Sequence, residues 1–146
     1  MTALTPAHEN WEEHALEVFA RVPIHDLMQM RLEELALGYA RVSMPRLPSV
    51  TQQNGFFHAG ALITLADSAA GASGLTVVRP EDNLLSVNIT VSLMRAAKAD
   101  RVEAIGRVVK AGRKLLFCDT EIFEAGKSRE RVLVKAMISL SRESWQ

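Results

Sequence analysis

One cysteine in 146 residues leaves no intrachain disulfide framework and no all-cysteine metal site. Cys118 lies in Leu115-Leu116-Phe117-Cys118, a run that reads as a buried strand, so its thiol is read as packing. Net charge is absent as well: 17 basic residues balance 17 acidic ones, and nothing argues for a nucleic-acid surface. No apolar run approaches the ~18 residues of a membrane span. The first residues carry acids and no apolar core of a secretory signal, so a cytoplasmic protein is expected. Repeats and low-complexity linkers are missing too. His8, His14 and His25 show no metal-ligand spacing with any acid pair, so no metal is expected. What is present is an ordinary globular balance, 48% apolar and 23% charged, in a chain long enough for one core. A single domain over residues 1–146 is expected.

The most unusual stretch is Gln52-Gln53-Asn54-Gly55-Phe56-Phe57-His58-Ala59-Gly60, a polar loop running into a helix over 58–74. That helix is small and apolar on nearly every side, the pattern of a buried helix rather than an amphipathic one. Gly71 and Gly74 lower its propensity, and Gly74 is a candidate stop. One acid, Asp67, interrupts it. A carboxylate in such surroundings is costly unless paired or used, which makes it the leading candidate for chemistry. Elsewhere, residues 8–28 read as a helical segment, made of a helix over 8–20 ended by Pro23 and a short helical turn over 24–28. Residues 35–44 read as one strand, and 49–57 as loop. Four alternating runs follow at 84–94, 101–110, 115–124 and 131–140. Their joins look short and turn-like, which predicts a four-strand antiparallel meander. An antiparallel sheet wrapped around the one central helix buries that helix most simply, an α+β arrangement.

Nine residues separate His58 from Asp67, roughly 13 Å of rise and about two and a half turns. One substrate carbonyl cannot touch both in the same chain. If they act together, Asp67 comes from a second subunit, with two such helices antiparallel about a two-fold axis. The helix start offers free N–H groups and a positive dipole end, with Ala59 and Gly60 the candidate donors. Such donors aimed at a carbonyl oxygen form an oxyanion hole, worth about 3–4 kcal/mol each in acyl transfer. Asp67 then activates a water or attacks directly. Ser86 holds that water, orients the carboxylate, or is a plain strand hydroxyl. Gln52 and Asn54 are candidate amide donors to the carbonyl, and Asn54-Gly55 is also a turn signal. His58 either orients the helix start or touches substrate.

The text Gln52…Gly55…His58-Ala59-Gly60…Asp67…Ser86 resembles hotdog-fold acyl-CoA thioesterases of the phenylacetic-acid-degradation type. The likeness extends through Ser86-Val87-Asn88-Ile89-Thr90 and Lys110-Ala111-Gly112-Arg113-Lys114-Leu115, covering residues 25–142. It implies a hotdog fold and a CoA-thioester substrate. It implies Asp67 as base or nucleophile, and the N–H after the histidine polarising the carbonyl with Gln52 assisting. It also implies a dimer, usually paired into a tetramer, with no metal or bound cofactor. Two positions depart from the family text: Ala59 stands for a glycine, and Gln52 for the commoner asparagine. Arg113 and Lys114 are either solvated hairpin charges or ligands of a CoA phosphate, and Arg79 and Arg95 invite the same two readings. Phe56 and Phe57 are core or walls of an acyl tunnel. Small helix residues (Ala61, Ala66, Ala69, Ala70) leave room for an acyl group. Two rivals stand beside thioester hydrolysis. An enoyl-CoA hydratase or dehydratase would add or remove water without releasing thiol. A non-catalytic acyl-CoA binder would bind unchanged by Asp67→Ala.

Overall fold

Proline and glycine set the entry into the fold, which the computed structural model describes over residues 3–145. Helix α1 (Trp11–Ala20) ends before Pro23, which cannot continue it; the same proline opens α2 (Pro23–Leu27), where its fixed φ suits a first helical position. The single strand expected over 35–44 is instead a hairpin, β1 (Arg31–Ala36) and β2 (Tyr39–Pro45). The chain reverses through Leu37-Gly38, with Ala36 paired to Tyr39 and Gly38 at φ +69°. A slip in register between Leu32 and Glu34 spoils the alternation of β1, which hid it in the sequence.

The central helix α3 (Ala59–Leu75) lies within a residue of its expected span. It does not stop at Gly74. The helix is capped at Thr76, whose hydroxyl donates to the Ser73 carbonyl at 2.6 Å and accepts the Gly38 N–H at 2.7 Å. Gly74 serves packing instead: a Cβ there would come within 2.9 Å of Leu84 and 3.0 Å of Leu140.

Strands β3 (Asn83–Leu93), β4 (Arg101–Ala111), β5 (Leu115–Glu124) and β6 (Val134–Glu143) complete one antiparallel sheet in the order β1-β2-β4-β5-β6-β3. Only β4, β5 and β6 form a meander. The expected β3–β4 neighbourhood is wrong: β3 pairs with β6 at the far edge. The link of residues 94–100 crosses three strand spacings, about 14 Å, which seven extended residues easily span. A short link therefore did not compel adjacency. The last strand begins three residues later than expected, because pairing of Ile122 with Val134 sets its register and residues 125–133 are spent in the turn.

Helix α3 packs on the inner face of this sheet. Its Leu65, Ala66, Ala69 and Ala70 are fully buried against Val42, Ala104, Leu116 and Ile138 of one continuous core. The closest approach is at Gly106 of β4, where a Cβ would overlap the Ala69 carbonyl and stand 2.9 Å from the Ala70 nitrogen. Helix backbone cannot give way as a side-chain tip can. Gly106→Ala is therefore expected to cost about 2–3 kcal/mol in urea denaturation. An unchanged midpoint would show that helix and sheet can separate freely. Cys118 is fully buried beside Ser73, and burial pushes its thiol up to about 11, so it stays protonated and unreactive at neutral pH.

The helix is not buried on every side. Ile63, Thr64, Asp67, Ser68 and Gly71 remain half-exposed, a stripe at helical spacing that the sheet does not cover. Apolar composition alone does not distinguish a helix face against a core from one lining a cavity.

Candidate active site

Two clusters of polar groups flank α3, and each is built by a local device. At the helix start, Thr51 and Phe57 form an isolated antiparallel bridge. Within it the Gln52 N–H donates to the Phe56 carbonyl at 2.9 Å and the Gly55 N–H to the Gln52 carbonyl at 3.0 Å. Gly55 takes the left-handed conformation at φ +82°, as the turn requires. Asn54 and Gly55 are thus spent in shaping the loop. The Gln52 amide oxygen accepts the Asn54 N–H, which leaves its NH₂ group as the part able to face a ligand.

His58 caps the helix. Its backbone is extended, and its Nδ1 accepts the Gly60 N–H at 2.9 Å. An accepting Nδ1 puts the ring proton on Nε2. The consequence for the expected donor pair is specific: the Gly60 N–H is already taken, while the Ala59 N–H has no acceptor among the described residues. Ala59 opens with Gln52, Phe56, His58, Leu93 and Arg95 into a cleft at the helix start. Phe57 is core, whereas Phe56 is half-exposed with the Lys98 ammonium 5.1 Å above its ring.

Eight residues further along, about 12 Å of rise, Asp67 faces a different cavity. Ser86 of β3 donates a hydrogen bond to its carboxylate. The register of β3 against β6 slips between Ser86 and Asn88, and a bulge beside a functional side chain commonly re-aims it. The Ser86 hydroxyl therefore orients the carboxylate. This cavity, about 660 Å³, lies between α1, α2, α3 and β3. On one chain, the acid and the free helix-start N–H open into separate spaces.

Arg113 and Lys114 line a third, polar recess with Arg79, Asp82 and Arg142. Buried Asp82 anchors it, paired with Arg79 at 3.1 Å and Arg142 at 3.7 Å. The hydrogen bond from Arg79 holds the Asp82 carboxyl below its ordinary range. The Lys114 ammonium is committed to Glu143 at 3.0 Å and the Arg142 carbonyl at 2.9 Å. None of these cations lies beside Asp67 or Ala59; Arg95 alone of the four candidates reaches the helix-start cleft.

His25 of α2, which meets Ser68 of α3 on the border of the same cavity, was not among the expected site residues. A signal was available. Ile63, Asp67, Gly71 and Leu75 recur every four residues, with Thr64, Ser68 and Ala72 alongside, and all seven border the cavity. Among the described residues no cluster of three or more His, Cys, Asp or Glu is placed to hold a metal, and no helix is long and apolar enough to cross a membrane.

A six-stranded antiparallel sheet curled around one central helix is the hotdog architecture. Residues 54–136, more than half of the chain, match the family model of the Thioesterase superfamily, and the chain belongs to that superfamily. Over 97 residues it is 24% identical to the 1,4-dihydroxy-2-naphthoyl-CoA hydrolase of Escherichia coli K12, covering 66% of this chain and 71% of that protein. A thioesterase family protein from Silicibacter pomeroyi superposes with a TM-score of 0.86 at 28% identity, over 92% of this chain and 99% of that one. The PaaI protein from the phenylacetic acid degradation operon of E. coli shares the fold, with a TM-score of 0.80 at 16% identity over 92% and 94% of the two chains.

Proposed function

We propose that this thioester hydrolase cleaves acyl-CoA to the free acid and CoA, in a site completed across a two-fold axis. Asp67, oriented by Ser86, takes a proton from water. The hydroxide attacks the thioester carbonyl carbon while the carbonyl oxygen, gaining charge, rests on the Ala59 N–H of the partner subunit, assisted by the Gln52 amide. The tetrahedral intermediate collapses, the C–S bond breaks, and the proton held by Asp67 passes to the departing thiolate. Base and donors all come from the chain, so this scheme calls for no metal and no cofactor besides the CoA of the substrate. His58 serves by capping the helix start, and Asn54 and Gly55 by holding the loop beneath Gln52. Arg113 and Lys114, with the rest of the polar recess, are proposed as electrostatic attraction for CoA phosphates rather than as groups acting at the carbonyl.

The observation that carries this reading is the separation of the two half-sites into different cavities on one chain. Strand β3 supports the manner of their reunion. It is an 11-residue edge strand, exposed along its length, with apolar Leu85, Val87, Ile89 and Leu93 unprotected. Such an edge is a template for pairing with another copy. Ser86 sits beside Asp67, while Leu93 lines the helix-start cleft. In an antiparallel β3–β3 pair with the two-fold near residue 89, Ser86 stands opposite Leu93 of the partner subunit, bringing acid and donor together.

The test is complementation. Asp67→Asn and Ala59→Pro proteins, each nearly inactive, are mixed, unfolded and refolded together. Random pairing restores one intact composite site in half of the dimers, so about a quarter of wild-type thiol release is expected. No recovery, with mixed dimers demonstrated, would sink the shared site.

A further inference from the structure

The cavity that opens beside Asp67 is larger than an acid and a water require. At about 660 Å³ it falls within the roughly 300–1,000 Å³ range of small-molecule sites. Its walls are largely apolar: Val18 and Phe19 from α1, Ile24 from α2, Leu84 from β3 and Leu140 from β6. On its border Ser86 pairs with Asp67 and Ser68 with His25, while the buried His14 Nε2 has no hydrogen-bond partner among the described residues. The His25 Nδ1–H donates to the Phe19 carbonyl at 2.9 Å, so Nε2 is left to accept the Ser68 hydroxyl at 3.1 Å. That pair fastens the α1–α2 wall to α3. Burial, and then the neighbouring His8, lower the pKa of the bordering His14. The walls from α1, α2, β3 and β6 are thus apolar, with the charged Arg21 and Asp82 also on the border.

Gly71 stands one turn beyond Asp67 on the same ridge, about 6 Å further along the axis. Three glycines on α3 or against it can be compared. A Cβ at Gly106 would strike helix backbone, and one at Gly74 would crowd Leu84 and Leu140. A Cβ at Gly71 would meet nothing within 4 Å. Packing therefore does not demand glycine there, although glycine weakens a helix interior. What a side chain at position 71 would occupy is the chamber itself.

We propose that this chamber receives the acyl group and that Gly71 sets its size, so that the enzyme takes medium-length or aryl acyl-CoAs in preference to acetyl-CoA. The proposal rests on the thioesterase reading above. A chain or ring entering from the carbonyl at Asp67 passes Gly71 first, and a larger residue there shortens the space without touching the carboxylate, Ser86 or the helix start.

The experiment measures kcat/KM by thiol release for acetyl-, octanoyl- and benzoyl-CoA. Wild type is compared with the graded series Gly71→Ala, Gly71→Val and Gly71→Leu, each checked for an unchanged melting profile. Preference for octanoyl- and benzoyl-CoA should fall stepwise, by about tenfold or more at leucine, while acetyl-CoA turnover stays within about twofold. Gly71→Ala adds one methyl into open space and keeps the series interpretable if leucine disturbs folding. An unchanged ranking of substrates, or an equal loss on all three, overturns the proposal; equal loss would place the pantetheine arm in the chamber instead. Absence of thiol release by folded wild type on every acyl-CoA would bring down the thioesterase reading itself, and the chamber assignment with it.

Discussion

Asp67→Asn is expected to lower kcat on the best acyl-CoA by about 10²–10⁴-fold, the usual contribution of a positioned general base. The substitution is nearly isosteric. The asparagine carbonyl oxygen can still accept the Ser86 hydroxyl, so the cavity and the helix should keep their shape. The melting midpoint and binding of a non-hydrolysable thioester analogue should change little. Turnover at the wild-type rate would remove Asp67 from the mechanism. A single turnover of wild type in ¹⁸O-labelled water separates its two roles. Label in the product acid and none in Asp67 marks a base; label left in the Asp67 carboxylate, with an unlabelled Asp67 oxygen passed to the product, marks a nucleophile whose acyl anhydride is opened by water at the aspartyl carbon.

Ala59→Pro removes one hydrogen-bond donor and almost nothing else. Ala59 is the first residue of the helix, where proline is well tolerated because its missing N–H has no partner inside the helix. His58 before it is already extended, at φ −68° and ψ 139°, the region that a residue preceding proline prefers. Stability should be unchanged or slightly raised. Loss of an oxyanion donor should nevertheless reduce kcat by about 10²–10³-fold, with a smaller effect on KM. Ala59→Val is the control for bulk: it keeps the N–H and should keep most of the activity. An Ala59→Pro enzyme with undiminished kcat would show that the helix start does not carry the oxyanion. Gly60→Pro would be a poorer probe, since its N–H is bonded to His58 and its loss would uncap the helix.

Much of the site could be read locally. The Asn54-Gly55 bend and the helix over 58–74 follow from residue types and spacing within short windows, whereas the pairing of Asp67 with Ser86, 19 residues on, was one of three readings left open. The resemblance of those windows to a known family supplied the hotdog expectation, which the fold bears out. What failed were inferences that needed neighbours. The 94–100 link looked like a hairpin, but the edge of β6 was β3's partner. Residues 35–44 looked like one strand, and β1 went unseen because a bulge broke its alternation. Gly60 looked like a donor until His58, two residues away, claimed its N–H.

The division has a physical basis. Periodicity, turn chemistry and an acid in an apolar helix act through the chain's own covalent spacing, so the sequence by itself determined a central helix, alternating strands, an acid set in that helix and its separation of more than two turns from the helix start. Strand order, the donor left free at the cap and the open stripe holding Asp67 and Gly71 depend on which surfaces meet, and the energies deciding that come from packing between distant segments. Only the tertiary structure could place α1 and α2 across that stripe and leave a chamber beneath them, because that space belongs to no single stretch of the chain.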